Sequence, residues 1–229
     1  MHATQSQPVL KSLKRKRILV VDDHEILRCG WHQLISVEDD LEICGEAGTV
    51  SEALNLVEQC HPDIVVTDIS LPGRNGLELV KELKLNHPEI PVLVVSMHDE
   101  KVYGERVLRA GGRGYVMKET ASDQLVDAIR QVLRGKPYVS EALSSAFLEG
   151  MFIGTPAKFP IDRLTNRELE VFDLIGKGHS QLEIAQTLGV EPRTIEAHRT
   201  NIRKKLGLPD SHALFRFAVR RFESLHHSS

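Results

Sequence analysis

The first part of the chain alternates short, continuous apolar runs with longer amphipathic segments. Strands are predicted near Arg17–Val21, Leu41–Ala47, Asp63–Thr67, Val92–Val95 and Arg113–Val116. Continuous runs of Val, Ile and Leu are typical of strands that are buried on both faces of a parallel sheet. Between the strands, apolar residues recur at helical spacing; Leu27, Trp31 and Leu34 share one stripe, so Trp31 is expected in the core. The pattern predicts an α/β domain with a five-stranded, doubly wound parallel sheet.

The last part of the chain has no strand pattern but contains clear helix starts. Two Ser/Thr-x-x-Glu patterns, beginning at Thr165 and Ser180, are capping boxes. Gly189 suits the left-handed residue after a short helix, and Pro192 suits the first turn of a longer one. This order predicts a helix-turn-helix. A final helix is predicted over Ser211–Phe222.

These patterns divide the chain into two domains and a connection. A length of 229 residues fits one medium and one small domain. The run from about Tyr138 to Phe159 is punctuated by Gly and Pro and is interpreted as a linker, in which Ser140–Phe152 could hold a short helix. We predict an α/β domain over 16–136, a linker over 137–160 and a smaller all-α domain over 161–224.

Composition and charge indicate an ordinary globular protein, with 41% hydrophobic and 27% charged residues. No apolar stretch approaches the ~20 residues that span a bilayer, and the polar N-terminus has no signal-peptide core, so we expect a cytoplasmic protein without a membrane partner. From Pro160 onward the net charge is +2, against −3 for the chain, and this asymmetry alone does not establish a nucleic-acid partner. Cys29, Cys44 and Cys60 lack metal-ligand spacing and are expected to be buried, reduced thiols.

Four predicted strands carry polar groups at their carboxyl ends, the edge of an open parallel sheet where ligands bind. The first strand ends in Asp22-Asp23, and the others end in Asp68, Ser96 and Lys118. Two unit charges ~4 Å apart in a partly solvated site repel by about 4 kcal/mol, so three carboxylates there require a cation. Oxygen ligands with room for water and phosphate suit Mg²⁺. The set fits phosphoryl transfer to a carboxylate, with Ser96 and Lys118 holding phosphoryl oxygens.

This order of residues resembles the receiver domain of two-component response regulators, which has a flavodoxin-like fold. Leu71-Pro72-Gly73 after the lone aspartate, Val95-Ser96-Met97-His98-Asp99, and the run from Gly111 to Lys118 strengthen the resemblance, which covers roughly Lys16–Leu133. It implies a partner sensor histidine kinase that phosphorylates the lone aspartate.

The resemblance also implies roles for individual residues. Asp68 would be the phosphoacceptor and would bind Mg²⁺ directly, as would Asp23, while Asp22 would act through water and Ser70 through its main-chain carbonyl. Tyr115 would be an aromatic switch that rotates and, with Ser96, reports phosphorylation to the surface. His98, in the loop after the fourth strand, is expected to be solvated.

The longer helix of the helix-turn-helix has two distinct faces. Ile195, His198, Ile202 and Leu206 share the face expected to be buried, with His198 partly buried. The opposite face is free to enter a major groove. The motifs Leu164-Thr165-Asn166-Arg167-Glu168, Glu183-Ile184-Ala185 and Arg193 to Arg199 resemble the LuxR-type helix-turn-helix, and with the receiver they resemble the NarL/FixJ group of response regulators.

This second resemblance implies double-stranded DNA as a partner and a homodimer in the phosphorylated or DNA-bound state. Base-reading positions would be Glu196, Ala197 and Thr200, and phosphate contacts would come from Arg193, Thr194, Arg203 and Lys204. Candidate dimer contacts in the final helix are Leu214, Phe215 and Ala218.

The favoured function is a DNA-binding transcription regulator switched by phosphorylation of Asp68, not a turnover enzyme. One alternative is a receiver used as a phosphorylation-independent interaction module. Another is a Mg²⁺-dependent phosphatase of the haloacid-dehalogenase type, which places Asp-x-Asp on its first strand, whereas this chain has adjacent Asp22-Asp23 there. For the C-terminal domain, the alternative is a four-helix protein-interaction module.

Overall fold

The computed structural model describes residues 14–153 and 160–226, and its first part is a five-stranded parallel sheet. The strands are β1 (Lys16–Val21), β2 (Leu41–Ala47), β3 (Ile64–Thr67), β4 (Val92–Ser96) and β5 (Gly114–Met117). They lie in the order β2-β1-β3-β4-β5, and every neighbouring pair is parallel. The predicted sheet is therefore confirmed, and each strand begins and ends within one residue of its predicted bounds.

Helices cover both faces of this sheet. They are α1 (Glu25–Ser36), α2 (Val50–Cys60), α3 (Gly76–Asn86), α4 (Glu100–Ala110) and α5 (Ala121–Leu133). One buried cluster joins the sheet to α1 and α5, and Trp31 lies in it, as predicted. A second cluster joins the opposite face to α2, α3 and α4. Because both faces are covered, the strand ends are the part of the sheet that can hold a ligand.

The three cysteines differ in their exposure, so the expectation of three buried thiols is wrong for one of them. Cys29 is exposed, Cys44 is partly exposed and Cys60 is buried. The Sγ atoms of Cys44 and Cys60 lie 3.3 Å apart, where the register between β1 and β2 shifts. Burial raises the pKa of Cys44 to about 12, which keeps this thiol protonated and unreactive at neutral pH.

The connection between the domains contains a helix and packs on the first domain. Tyr138 forms a parallel bridge with Gly114 at the edge of β5. Helix α6 (Glu141–Ile153) follows and lies on α4. Leu143 of α6 is buried against Gly104 of α4, where a Cβ would meet the Leu143 Cδ2 atom at 2.4 Å. The short helix that the sequence allowed here is confirmed.

The C-terminal domain is helical. A 3-10 turn, Pro160–Arg163, precedes α7 (Asn166–Gly176), α8 (Gln181–Thr187), α9 (Pro192–Leu206) and α10 (Ser211–His226). Both predicted capping boxes are present at the starts of α7 and α8. Gly189, with φ 62°, lies in the turn between α8 and α9, as the helix-turn-helix prediction requires. The final helix extends four residues beyond its predicted end at Phe222.

The two domains are in direct contact. The Gly73 N–H, in the loop after β3, donates to the Leu188 carbonyl at the end of α8, at 3.3 Å. The Arg106 guanidinium of α4 donates to the carbonyls of Leu164 at 2.8 Å and Ile161 at 3.3 Å. The apolar cluster on the α2–α4 face continues into the C-terminal domain. Helix α7 also meets α4 and the loop after β3, because the Tyr103 hydroxyl donates to Asp173 Oδ2 at 2.8 Å and the Ser70 hydroxyl donates to Glu170 Oε1 at 3.2 Å.

Candidate functional site

Two buried carboxylates lie at the carboxyl edge of the sheet. Asp22 follows β1 and Asp68 follows β3, and their residues are 2% and 4% exposed. The Asp68 N–H donates to the Val21 carbonyl at 2.9 Å, which continues the pairing of these two strands. The Ile69 N–H donates to Asp68 Oδ1 at 2.6 Å and fixes the carboxylate. The strand geometry thus brings together the two aspartates, as the sequence predicted.

Lys118 joins these carboxylates to each other. It begins a 3-10 turn, Lys118–Thr120, directly after β5. Its Nζ lies 2.6 Å from Asp22 Oδ2 and 2.7 Å from Asp68 Oδ2, and its side chain is 4% exposed. Burial works against the ammonium charge, but Asp68 and Asp22 outweigh it and hold the pKa of Lys118 above its usual value. Lys118 is therefore a fixed positive charge between two buried carboxylates.

Asp23 completes an acidic group that has more negative charge than Lys118 can neutralise. Its side chain is 28% exposed, and this partial burial, with the neighbouring Asp22, raises its pKa, while His24 opposes them. His24 Nδ1 lies 2.9 Å from Asp23 Oδ1 and 3.2 Å from Asp22 Oδ1. Donor atoms of Asp22, Asp23 and His24 lie within 4.8 Å of one another, close enough to share an ion. Three carboxylates against one ammonium leave a charge of −2, which fits a divalent cation with oxygen ligands.

His24 is a neighbour of the site that the sequence analysis did not assign. Its main-chain N–H donates to Asp22 Oδ1 at 2.9 Å, so it holds this carboxylate as well as approaching it through the imidazole. Its position directly after Asp22-Asp23 was the available signal.

Ser96 and Tyr115 occupy the next two strands. Ser96 ends β4 and is fully buried, and Tyr115 lies in β5 with 3% exposure. The Tyr115 hydroxyl donates to the His98 carbonyl at 2.7 Å. Burial, with a further effect of Asp68, raises the pKa of Tyr115 well above its usual value, so the hydroxyl remains a donor. The side chain of Tyr115, predicted from the resemblance to be an aromatic switch, points inward.

His98 is buried, so the expectation of a solvated loop residue is wrong. The residue is 8% exposed. Its imidazole lies between Ser70, which follows Asp68 by two residues, and Asp173 of α7. The contact between the domains excludes water from the His98 side chain, and no local pattern in the sequence predicts that contact.

The sequence analysis also missed two acidic residues of α7. Glu170 is 0% exposed and Asp173 is 20% exposed at its side chain, and both face the first domain. Ser70, predicted as a metal ligand through its main chain, uses its hydroxyl here to reach Glu170 Oε1 at 3.2 Å. The available signal was a Glu within the apolar run Leu169 to Phe172, since a buried carboxylate requires a partner.

The predicted DNA-reading helix is α9, and its two faces are as expected. Ile195 and Ile202 are fully buried, and His198 is partly buried. Burial lowers the pKa of His198, so this side chain is neutral at physiological pH. Five of the seven predicted DNA contacts face away from the core. Four of them are exposed, namely Arg193, Glu196, Ala197 and Lys204, and Thr200 is partly exposed.

The other two predicted phosphate contacts, Thr194 and Arg203, have less exposed side chains. Thr194 is partly exposed. Arg203 is partly exposed, and its Nη1 lies 3.4 Å from the Ser211 hydroxyl of α10, which ties it to its own domain.

The three candidate dimer contacts in α10 do not share one environment. Leu214 is 0% exposed and Ala218 is 1% exposed, because both pack inside the C-terminal domain. A Cβ on Gly176 of α7 would meet the Ala218 carbonyl at 2.8 Å, which shows how closely these helices approach. The assignment of Leu214 and Ala218 to a dimer surface conflicts with this burial. Phe215 is 46% exposed and remains a candidate.

Comparisons with known proteins agree with both domains. Residues 18–130 match the family described as response regulator receiver domain, and residues 162–218 match bacterial regulatory proteins of the luxR family. The chain is 33% identical over 211 residues to the oxygen regulatory protein NreC of Staphylococcus carnosus (strain TM300), which covers 90% of this chain and 97% of that protein. The chain belongs to the NarL/FixJ group of response regulators. This response regulator thus combines a receiver domain with a LuxR-type DNA-binding domain.

Solved structures show the same architecture. The RcsB response regulator of Salmonella typhimurium superposes on this chain with a TM-score of 0.64 and 25% sequence identity. The superposition covers 90% of this chain and 98% of that chain. The RcsB–DNA complex has a TM-score of 0.54 and 25% identity, with 89% and 98% covered. A response regulator of this kind is a DNA-binding transcription regulator under the control of phosphorylation. Within residues 14–153 and 160–226, no helix is long and apolar enough to cross a membrane.

Proposed function

We propose that Asp68 is the phosphoacceptor of this response regulator and that a partner sensor histidine kinase is the donor. The observation that carries the proposal is the buried Asp22–Lys118–Asp68 arrangement, with Lys118 Nζ within 2.7 Å of both carboxylates. Burying charged side chains is costly even when they are paired, so a stabilising role alone does not explain why these three are buried. The position of Asp68 at the end of β3 presents a carboxylate where a phosphoryl group can approach.

The chemistry follows from the groups around Asp68. A carboxylate oxygen of Asp68 attacks the phosphorus of the kinase phosphohistidine and a P–O bond forms. The P–N bond breaks, its electron pair returns to the nitrogen of the kinase imidazole, and that nitrogen takes a proton from solvent. Lys118 is released from Asp68 and donates to a phosphoryl oxygen, and the Ser96 hydroxyl is a second donor. Asp23, Asp68 and the main-chain carbonyl of Ser70 would hold Mg²⁺ directly and Asp22 would hold it through water, and the ion would neutralise charge on the phosphoryl oxygens.

For the C-terminal domain, we propose that α9 enters the major groove of double-stranded DNA. Glu196, Ala197 and Thr200 are proposed to read bases, because they lie on the face opposite the buried Ile195 and Ile202. Phosphate contacts are proposed for Arg193, Thr194, Arg203 and Lys204, which position the helix without specifying sequence.

Assembly and organisation complete the proposal. We propose a homodimer on DNA or after phosphorylation, with Phe215 of α10 as its exposed contact. The receiver is assigned to 16–136, the linker to 137–160 and the DNA-binding domain to 161–224, and the chain is proposed to act in the cytoplasm as a regulator and not as a turnover enzyme.

One experiment separates a phosphorylated receiver from one that only mediates interactions. The chain is incubated with phosphoramidate and Mg²⁺, and intact mass is measured for the wild type and for Asp68→Asn. A phosphorylated receiver gains the mass of one phosphoryl group in the wild type and not in the variant. A wild type that gains no mass would instead support a phosphorylation-independent interaction module.

A further inference from the structure

The loop that carries Asp22 and Asp23 leaves the sheet at the end of β1. The Asp22 N–H still pairs with β2, because it donates to the Ala47 carbonyl at 3.0 Å. The Asp22 carbonyl instead accepts from a side chain, Arg28 Nη1 of α1, at 2.6 Å. A charged donor makes a stronger hydrogen bond than a neutral one. Arg28 therefore holds the first main-chain carbonyl of the loop after β1.

The peptide bond between Asp22 and Asp23 passes this restraint on to Asp23. The Asp22 carbonyl and the Asp23 N–H lie in one plane, which turns as a unit. Fixing the carbonyl therefore fixes the Asp23 Cα atom and the direction in which its carboxylate leaves the main chain. The Asp23 side chain is only partly buried, so packing restrains it less than it restrains the buried Asp22.

Arg28 is itself anchored by Glu46 of β2. Its Nε donates to Glu46 Oε2 at 3.3 Å, and the two side chains are 20% and 36% exposed. The planar guanidinium presents its donors in a fixed fork, so the bond to Glu46 restricts where Nη1 can lie. The Arg28 side chain thus connects β2 to the main chain of the Asp22–Asp23 loop.

The turn after β2 packs beside the same loop. A Cβ on Gly48 would lie 3.9 Å from Asp23 Cα and 4.0 Å from Arg28 Nη1. The Gly48 N–H donates to Glu52 Oε2 of α2 at 2.8 Å, which restrains this turn. The main chain at Asp23 therefore has both Arg28 and a restrained turn as neighbours.

The charge of Arg28 and its position have opposite effects on a cation. A guanidinium close to the acidic site repels a divalent ion, whereas a correctly oriented Asp23 carboxylate attracts it. Because Arg28 is paired with Glu46, most of its charge is offset at the site. The orienting effect is therefore expected to exceed the repulsion.

We infer that Arg28 is a positioning residue for the metal site, which orients Asp23 towards a divalent cation by binding the Asp22 carbonyl. This rests on the proposed function, in which Asp23 binds Mg²⁺ directly. Asp68 is restrained separately, by Lys118 and by the Ile69 N–H. Arg28 therefore acts on the affinity for the metal and not on the transfer of the phosphoryl group.

The test measures metal binding and phosphorylation separately in the full chain. Mn²⁺, which suits the same oxygen ligands as Mg²⁺, is titrated while its free aqua ion is followed by electron paramagnetic resonance. Phosphorylation by phosphoramidate is followed by intact mass over a range of Mg²⁺ concentrations, and melting temperatures are recorded without metal. The variants are Arg28→Ala, Arg28→Lys and Glu46→Gln. Arg109→Ala is the matched control, because Arg109 donates to Glu105 of its own helix.

Arg28→Ala should raise the Mn²⁺ concentration at half-saturation by about tenfold, the lower end of the loss expected when a partner that orients a metal ligand is removed. The Mg²⁺ concentration for half-maximal phosphorylation should rise alike, while the rate at saturating Mg²⁺ stays close to that of the wild type. Arg28→Lys should also weaken metal binding, because an ammonium lacks the fork that reaches both partners. Glu46→Gln should weaken it less, because the bond to Asp22 remains. Arg109→Ala should match the wild type.

Charge and positioning predict opposite results for Arg28→Ala. Tighter Mn²⁺ binding would show that Arg28 acts through its charge, and unchanged Mn²⁺ binding with a lower melting temperature would show that it only supports the fold. Slower phosphorylation at saturating Mg²⁺ with unchanged Mn²⁺ affinity would place its effect on the transfer step. Each of these three results would overturn the inference.

Failure of the proposed phosphorylation is a separate outcome. A wild type that binds Mn²⁺ but gains no phosphoryl group would remove the role of Asp68, and the Mn²⁺ affinities of the variants would still decide the role of Arg28. A wild type that binds no Mn²⁺ would remove the metal site, and the role of Arg28 with it.

Discussion

Lys118 Nζ lies between two buried carboxylates, 2.7 Å from Asp68 and 2.6 Å from Asp22. The three groups come from the ends of β3, β1 and β5, so only the folded sheet brings them together. With Asp23 beside them, the local charge is negative overall. The arrangement suits a site that binds a divalent cation and a phosphoryl group.

Removing Lys118 should therefore affect both stability and phosphorylation. In Lys118→Ala, two buried carboxylates lose their shared partner, and unfolding free energy should fall by about 3 kcal/mol. Phosphorylation by phosphoramidate should slow by at least tenfold, because a donor to the phosphoryl oxygens is lost. Chemical denaturation and intact-mass time courses measure the two effects. Lys81→Ala, at an exposed position of α3, is the control and should resemble the wild type; equal phosphorylation rates would contradict the role of Lys118.

Gly76, at the start of α3, is held close to the backbone of Asp68. A Cβ at this position would lie 1.9 Å from the Asp68 carbonyl oxygen, so Gly76→Ala must displace the phosphoacceptor loop. We expect a loss of stability of about 1–3 kcal/mol, as for overpacked sites, together with slower phosphorylation.

Gly30 offers the matched comparison for that prediction. It lies within α1 with no atom within 4 Å of an added Cβ, so Gly30→Ala should be stabilising by about 0.5–1 kcal/mol. Melting temperatures of the two variants should move in opposite directions. An unchanged melting temperature for Gly76→Ala would show that the loop after Asp68 is less tightly packed than this distance indicates.

The sequence predicted the acidic site because it depends on a local rule. Strands that run in parallel end at one edge, so the residues after each strand meet there, as Asp22, Asp68 and Lys118 do. The contact between the domains follows no such rule. Glu170 and Asp173 look like ordinary helix residues until the packing of α7 on the receiver is known, and His98 looks like a solvated loop residue for the same reason.

The apolar stripe of α10 shows a second limit of sequence reasoning. Leu214 and Ala218 recur at helical spacing, and this spacing fits a dimer surface as well as a domain core. In the structure the stripe packs against α7. Helical periodicity identifies which face of a helix is buried but not which partner buries it.

Glu168 links the stability of the DNA-binding domain to pH. Burial opposes its ionisation, but Lys205 Nζ at 2.5 Å and the Thr165 N–H at 2.7 Å outweigh burial and hold its pKa below the usual 4.5. Because the folded pKa is lowered, this contribution to stability is present above about 4.5 and is lost as pH falls through the folded pKa.

A pH series of melting temperatures tests this link. Glu168→Gln should lower stability at neutral pH. It should also reduce the loss of stability as the pH falls from about 5 to about 3, because the lowered pKa of Glu168 lies below its usual 4.5. Glu25→Gln, at an exposed position in the first turn of α1, is the control. Parallel pH curves for the wild type and Glu168→Gln would exclude the proposed contribution.

Lys204 is exposed on α9 and is proposed to contact a DNA phosphate. Lys204→Ala should weaken binding of all DNA sequences alike and should reduce the slope of log K against log salt concentration by about 1. Fluorescence anisotropy with specific and unrelated duplexes at several salt concentrations measures both. Lys136→Ala, exposed on the receiver, should leave both unchanged. A loss confined to one DNA sequence would assign Lys204 to base reading instead.

The central claim is that Asp68 becomes an acyl phosphate. Its most direct test is intact mass after incubation with phosphoramidate and Mg²⁺, followed by peptide mapping under conditions that preserve the acyl phosphate. We predict one added phosphoryl group on the peptide that contains Asp68, and none in Asp68→Asn. Phosphorylation of Asp68→Asn to the same extent as the wild type, or a phosphoryl group on another peptide, would contradict the assignment.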